Sequence, residues 1–294
     1  MDSLLVTGQS GFIGSNLIPE LLKNYSVIGL AKKKLSKSNI KQLNQDILRV
    51  KLSKIPKDIT GIIHLAAIAD VNYCEKNPHR CFNVNILGTQ KMLEIARKRD
   101  SKFLYLSTGH VFGKPKKLPI SESHPREPNS IYALSKFGGE IMCEAYSKEY
   151  SLDVSIVRLF SIYGPHSPEY LVTSNIISQL IKSNSIKLGN VFPKRDFLYT
   201  DDAIAAIKLV LKKMHGFNTY NVGYGKSYSI LEICKMLSKI TSKKIKINSS
   251  KNKIRKNEVN NVVADISKIK KLGWKPTIEI KKGLELTYNW YKTK

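Results

Sequence analysis

The run Ser3-Leu4-Leu5-Val6-Thr7-Gly8-Gln9-Ser10-Gly11-Phe12-Ile13-Gly14 decides how the rest of the chain is read. Its apolar start is short enough for a buried strand. The residues beyond it, Phe12-Ile13, Asn16-Leu17-Ile18 and Leu21-Leu22, recur at helical spacing. The order strand, glycine turn, helix gives the three glycines a purpose. They allow a tight turn, a close approach to a pyrophosphate, and packing of the helix on the strand, with the phosphate at the helix N-terminus. The stretch therefore predicts a dinucleotide site built on Gly8, Gly11 and Gly14.

Working outward, Ser26–Leu30 is a second strand, and an NAD-selective site carries an acid at its end. Here Ala31 stands there, followed by Lys32, Lys33 and Lys34. The missing acid and the cations favour NADP, with NAD left open. Gly61–Ala67 is a further buried strand ending in small residues that let a ligand lie against the backbone. His64, inside that apolar run, is expected to be a packed, hydrogen-bonded core residue. A long amphipathic helix is expected between Asn77 and Arg99, and Lys102–Thr108 is the next strand. Residues 113–129 form a polar, proline-containing surface loop.

Val154–Phe160 is another strand, after which the strict alternation fades. Ser174–Ile181 reads as a helix, Arg195–Asp202 as a strand entering a helix, and Asn218–Val222 as a late strand. The tail from Lys226 carries two amphipathic helices and a lysine-rich link. The expected fold class is α/β, a Rossmann-type doubly wound parallel sheet with a smaller C-terminal substrate-binding lobe. The cofactor domain is assigned to residues 1–165 with 191–222 returning to it, and the lobe to 166–190 and 223–294.

Tyr132-Ala133-Leu134-Ser135-Lys136 supplies the chemistry. Four residues apart on a helix, the phenol and the ammonium sit one turn apart on one face. A tyrosine with an ordinary pKa of about 10 is a poor base at neutral pH, and an adjacent cation favours its phenolate.

Composition bounds the rest. A chain of 294 residues can bury a sizeable core. No apolar run approaches the roughly 20 residues that cross a bilayer, so no membrane partner and a cytoplasmic location are expected. Cys74, Cys81, Cys143 and Cys234 show no metal-ligand spacing, so no metal site is expected. The net charge of +26 attracts anions. The lysines lack interleaved aromatics, however, which disfavours nucleic acid as a partner.

In order along the chain, these motifs resemble the extended short-chain dehydrogenase/reductases, the NAD(P)-dependent epimerases, dehydratases and reductases of nucleotide sugars. Thr7-Gly8-x-x-Gly11-Phe12-Ile13-Gly14 is similar to their cofactor fingerprint, Asp46-Ile47 to the pair that holds adenine, and His64-Leu65-Ala66-Ala67 to the strand beneath the cofactor. Asn85 is similar to the asparagine of their central helix, and Ser107-Thr108, Tyr132 and Lys136 to their catalytic set. The resemblance also places Ser10 and Phe160 at the cofactor. Arg195 and Arg255 match arginines that bind the substrate's diphosphate, and Arg195-Asp-Phe-x-Tyr-x-Asp201 and Gly273-Trp274-x-Pro276 resemble later signatures.

The resemblance implies a nucleotide-diphosphate sugar as substrate and a homodimer. It also implies catalysis by Thr108, Tyr132 and Lys136, with hydride exchange at the hexose C4. Dehydratases of the family follow the catalytic threonine with Asp-Glu, whereas Gly109-His110 stands here, which disfavours loss of water. The first reading is a nucleotide-sugar epimerase. The second is an NADPH-dependent nucleotide 4-keto-6-deoxysugar reductase, and the third a non-catalytic cofactor-binding or RNA-associated member.

Overall fold

The computed structural model describes residues 2–33, 40–249 and 259–293. In chain order the strands are β1 (Ser3–Thr7), β2 (Ser26–Ala31), β3 (Lys41–Asn44), β4 (Ile59–His64), β5 (Lys102–Thr108) and β6 (Val154–Leu159), followed by β7 (Ser161–Tyr163), β8 (Ser185–Leu188), β9 (Lys194–Tyr199), β10 (Phe217–Val222), β11 (Ser227–Ser229) and β12 (Lys246–Ser249). The chain divides into two compact units. The first comprises residues 1–113, 125–159 and 204–220, and the second 114–124, 160–203 and 221–294.

The first unit holds a seven-stranded sheet in the order β10-β6-β5-β4-β1-β2-β3. Strands β1 to β6 pair in parallel. Sequence order reverses between β1 and β4, the place where open α/β sheets bind ligands beyond their strand ends. β1 is buried along its whole length. Apolar runs such as Leu4-Leu5-Val6 and Ile62-Ile63 fit strands covered on both faces. Leu5, Ile62, Phe103, Tyr105 and Ile156 pack with Met92, Leu93 and Ala96 of the helix Gly88–Arg99 in one core cluster.

The expected helix between Asn77 and Arg99 is present as Pro78–Phe82 running into Gly88–Arg99, joined by a π-helical turn at Asn83–Leu87.

The second unit contains two further sheets, β11-β9-β7 and β12-β8. This corrects the assignment of 191–222 to the cofactor domain. β9 pairs with β7 and β11 instead of joining the large sheet, so only 204–220 belong with the first unit.

Two buried aspartates pin this unit together. Asp196 accepts backbone N–H bonds from Tyr224, Gly225 and Ala264 at 2.6, 3.0 and 2.9 Å. Asp202 accepts from the Thr277 amide and hydroxyl and from the Ile278 amide, while Trp274 Nε1 donates to the Asp202 carbonyl. The Gly273-Trp274-x-Pro276 signature is thus tied by Trp274 to Asp202, the residue directly after the Arg195–Asp201 signature.

Candidate active site

The glycine loop and the helix that carries Tyr132 and Lys136 both lie in the first unit. Gly8 has φ +72°, and a Cβ there would lie 2.9 Å from the Ala66 amide nitrogen, so a side chain would be both strained and crowded. A Cβ on Gly14 would lie 2.5 Å from the Gly8 carbonyl oxygen. The Gly8 amide donates to Leu30 O at 2.8 Å, fastening the loop to β2. The helix Phe12–Leu21 starts at Gly11 with no side-chain cap and no acid in its first turn. Its first amides and dipole suit an anion. The donor set therefore fits a dinucleotide diphosphate, with Ser10, Phe12 and Ile13 at the same turn.

Beneath the loop runs a relay of hydrogen bonds. The Ala66 amide donates to Thr7 Oγ1 at 3.1 Å, and Thr7 Oγ1 lies 2.8 Å from His64 Nδ1. His64 Nε2 lies 3.0 Å from Thr89 Oγ1, whose own proton goes to Asn85 O at 2.6 Å. That direction assigns the Nε2–H tautomer to His64. Burial, reinforced by the Lys136 charge, holds its pKa well below the usual range. The imidazole is a neutral core group, as expected.

Asn85 is also fully buried. Its amide accepts from Ile68 N at 2.7 Å and donates to Ile68 O at 3.0 Å and Ser135 Oγ at 2.8 Å. The resemblance puts Asn85 at the cofactor; in the structure its amide joins the segment after β4 to the helix that carries Tyr132 and Lys136. Ile47, matched to an adenine contact, is buried in the core cluster. Leu65 donates to Thr7 O, and Ala66 and Ala67 are partly exposed. Phe160 falls in the second unit, where its amide donates to Val222 O at 3.0 Å.

The helix Ile131–Tyr150 is capped by Ser130, whose hydroxyl accepts from the Ala133 amide. Lys136 is 3% exposed, with its ammonium 4.0 Å from the centre of the Tyr105 ring. Burial draws the Lys136 pKa down to about 7, against the opposing pull of Cys143, Glu140 and Cys81. Tyr132 is partly exposed, and the His110 ring meets it edge-on at 6.0 Å. Thr108 is buried at the end of β5, and its oxygen accepts from the His110 amide at 3.2 Å. The Ser107 hydroxyl donates to Glu140 Oε1 at 2.6 Å.

Glu140 escaped the sequence reading. Fully buried, it receives Arg158 through Nε at 2.8 Å and Nη2 at 2.7 Å. The available signal was the four-residue rhythm Tyr132, Lys136, Glu140, together with an arginine inside the apolar run of β6.

Just beyond the end of β2, Lys32 pairs with Asp46 at 2.7 Å. Burial opposes ionisation of Asp46. The Lys32 hydrogen bond and the Leu48 amide overcome it and hold the carboxyl below its ordinary range. In the second unit, Arg195 Nη1 donates to the carbonyls of Lys194 and Val259. Lys34 and Arg255 lie outside the described residues.

A glycine cradle at the sheet's switch point, with a buried lysine one turn from a tyrosine, defines a short-chain dehydrogenase/reductase. Residues 5–287 match the family described as GDP-mannose 4,6 dehydratase, and the chain belongs to that family of extended short-chain enzymes. It is 35% identical to a putative UDP-glucose 4-epimerase of Methanocaldococcus jannaschii, with 98% of each chain covered. It is also 31% identical to the human dTDP-D-glucose 4,6-dehydratase, over 98% of this chain and 89% of that one. Among solved structures it is similar to the UDP-glucuronic acid 4-epimerase of Bacillus cereus in complex with UDP-glucuronic acid and NAD. There the TM-score is 0.92, the identity 33%, and the coverage 99% of both chains.

Proposed function

We propose that this enzyme is an NAD-dependent 4-epimerase of a UDP-sugar. The observation that carries the reading is the buried Lys136 one helical turn from Tyr132, in the unit that also holds the glycine cradle. Bound NAD supplies hydride acceptance from the sugar C4 and hydride return. Tyr132 takes the proton of the C4 hydroxyl and gives it back. Lys136 favours the phenolate by its charge, and Thr108, whose oxygen already accepts from the His110 amide, directs its proton towards the sugar oxygen. The place of the dehydratase Asp-Glu pair is held by Gly109-His110, which leaves no carboxyl pair there to expel water.

NAD is proposed over NADP because Lys32, the expected phosphate ligand, is engaged by Asp46. An incoming 2′-phosphate would have to displace that pairing and face a carboxylate. Arg195 and Arg255 are proposed as ligands of the substrate diphosphate, for which a guanidinium fork is apt. A homodimer is inferred from Leu134 and Ile141, 46% and 50% exposed and seven residues apart on the catalytic helix, beside Leu87 at 49%. No helix among the described residues is long and apolar enough to cross a membrane; we infer a cytoplasmic enzyme.

The test is conversion of UDP-glucose, UDP-glucuronate and UDP-N-acetylglucosamine to their 4-epimers, followed by proton NMR. Turnover of one of them, lost by a factor of about 10² to 10⁴ in Tyr132→Phe with NAD still bound, is expected. Absence of turnover with all three sugars, despite bound NAD, overturns the reading.

A further inference from the structure

The carboxylate of Glu140 sits where three parts of the catalytic unit converge. It lies two helical turns beyond Tyr132 and one beyond Lys136 on the same helix face. From β5 it receives the Ser107 hydroxyl at 2.6 Å, and Ser107 adjoins Thr108. From β6 it receives the Arg158 fork, and the loop residue Arg126 approaches it at 3.4 Å. Arg158 and Arg126 are themselves packed over the rings of Phe112 and Phe137 at 5.0 and 4.8 Å, which fixes the direction of both cations.

So complete a set of partners for one buried acid is more than a fold needs. An apolar pair of similar volume often serves stability as well as a buried ion pair, or better. The surroundings of Lys136 suggest what the charge does. Its own helix brings Tyr132 and Cys143; β4 brings His64, β5 brings Tyr105, and the helix Pro78–Phe82 brings Cys81. Burial keeps His64 neutral and holds the Cys143 thiol and Tyr105 phenol protonated. Among the described residues, Lys136 has no ion-pair partner at contact distance, and Glu140 is the one carboxylate acting on it.

We propose that Glu140 is a positioning residue of the reaction. It clamps the Ser107–Thr108 strand end to the catalytic helix and supplies the counter-charge that keeps the Lys136 ammonium available to Tyr132. Arg158 orients the carboxylate from the strand side. The assignment rests on the 4-epimerase reading, since it names the group through which the Tyr132–Lys136 pair is held.

Removing Arg158's partner alone would strand a buried cation, so the charge is tested with the double variant Glu140→Gln/Arg158→Met, with folding checked by circular dichroism. The readout is the pH dependence of kcat/KM. Losing the counter-charge favours neutral Lys136, and the phenol then needs a higher pH to act as base. The limb on which activity rises with pH should therefore move upward by roughly one unit. An unmoved limb in the folded double variant overturns the charge role, whatever happens to the rate.

Two milder variants keep the proposal open to refutation if the double variant does not fold. Glu140→Asp retains the charge and should keep the wild-type limb while losing rate. Ser107→Ala removes only the strand-end tie and should lower kcat about tenfold with little change in KM. Wild-type kcat in Ser107→Ala, or a shifted limb in Glu140→Asp, overturns the proposal. Absence of 4-epimerase turnover in the wild-type enzyme would instead sink the reading beneath it.

Discussion

The Lys136 ammonium lies 4.0 Å above the ring of Tyr105, and the Tyr105 hydroxyl donates to the backbone carbonyl of that same Lys136 at 3.3 Å. The ring thus offers its negative face to the cation while its far end holds the helix backbone in place.

The Lys136 charge should leave a signature in stability. Its folded pKa of about 7 lies below the ordinary value of 10.5, so the unfolded chain binds the extra proton between those limits. The penalty is fully present below pH 7 and is relieved as pH rises towards 10.5, so the contribution of this group to stability increases across that window. Lys136→Met should be more stable than wild type at pH 7 by about 2–4 kcal/mol. The difference should shrink by pH 10, as read by urea unfolding at each pH.

Gly139 should tolerate no side chain. A Cβ there would collide with the Tyr105 hydroxyl, which is buried and tied to the helix. Gly139→Ala is expected to destabilise by about 1–3 kcal/mol. Tyr105→Phe in the same chain should restore part of that loss, giving a non-zero coupling energy in a double-mutant cycle.

The ratio of NADP to NAD affinity should respond to Asp46. Asp46→Asn removes both the partner of Lys32 and the carboxylate that a 2′-phosphate would meet. Its NADP affinity should rise about tenfold relative to NAD, as measured by calorimetric titration. An unchanged ratio would show that Lys32 does not reach the ribose.

Asp202 joins residues far apart in sequence. Asp202→Ala strips the acceptor from the Thr277 and Ile278 amides and should cost about 2–4 kcal/mol. Limited proteolysis should then cut between Trp274 and Ile280 before it cuts elsewhere.

The parts of this molecule that could be read from sequence are those whose physics is local. The loop Gly8–Gly14 announces itself because a strand, a turn and a helix must follow one another within a few residues. Tyr132 and Lys136 are visible because helical spacing alone brings them together. Glu140 was hidden because its partner Arg158 lies on another element, and no periodicity reports a pairing across a sheet. Strands β7 and β11, of three residues each, are too short to show an alternation, so the sheet that claims β9 could not be anticipated. Asp196 stood inside the Arg195–Asp201 motif and Asp202 directly after it, yet their bonds close loops of 68 and 76 residues that only folding reveals. Asn85 matched a cofactor position by resemblance, while its amide faces inward to Ile68 and Ser135.

That inward amide constrains any attempt to redesign the enzyme. Ser135, between Tyr132 and Lys136 in sequence, answers to Asn85 and donates to Tyr132 O, and Asn85 answers to the segment following β4. The segment after β4 and the helix that carries Tyr132 and Lys136 are therefore keyed to one another through Asn85. Libraries aimed at new sugar substrates should leave Asn85 untouched and draw their diversity from positions outside this hydrogen-bond set, where a change does not loosen its keystone.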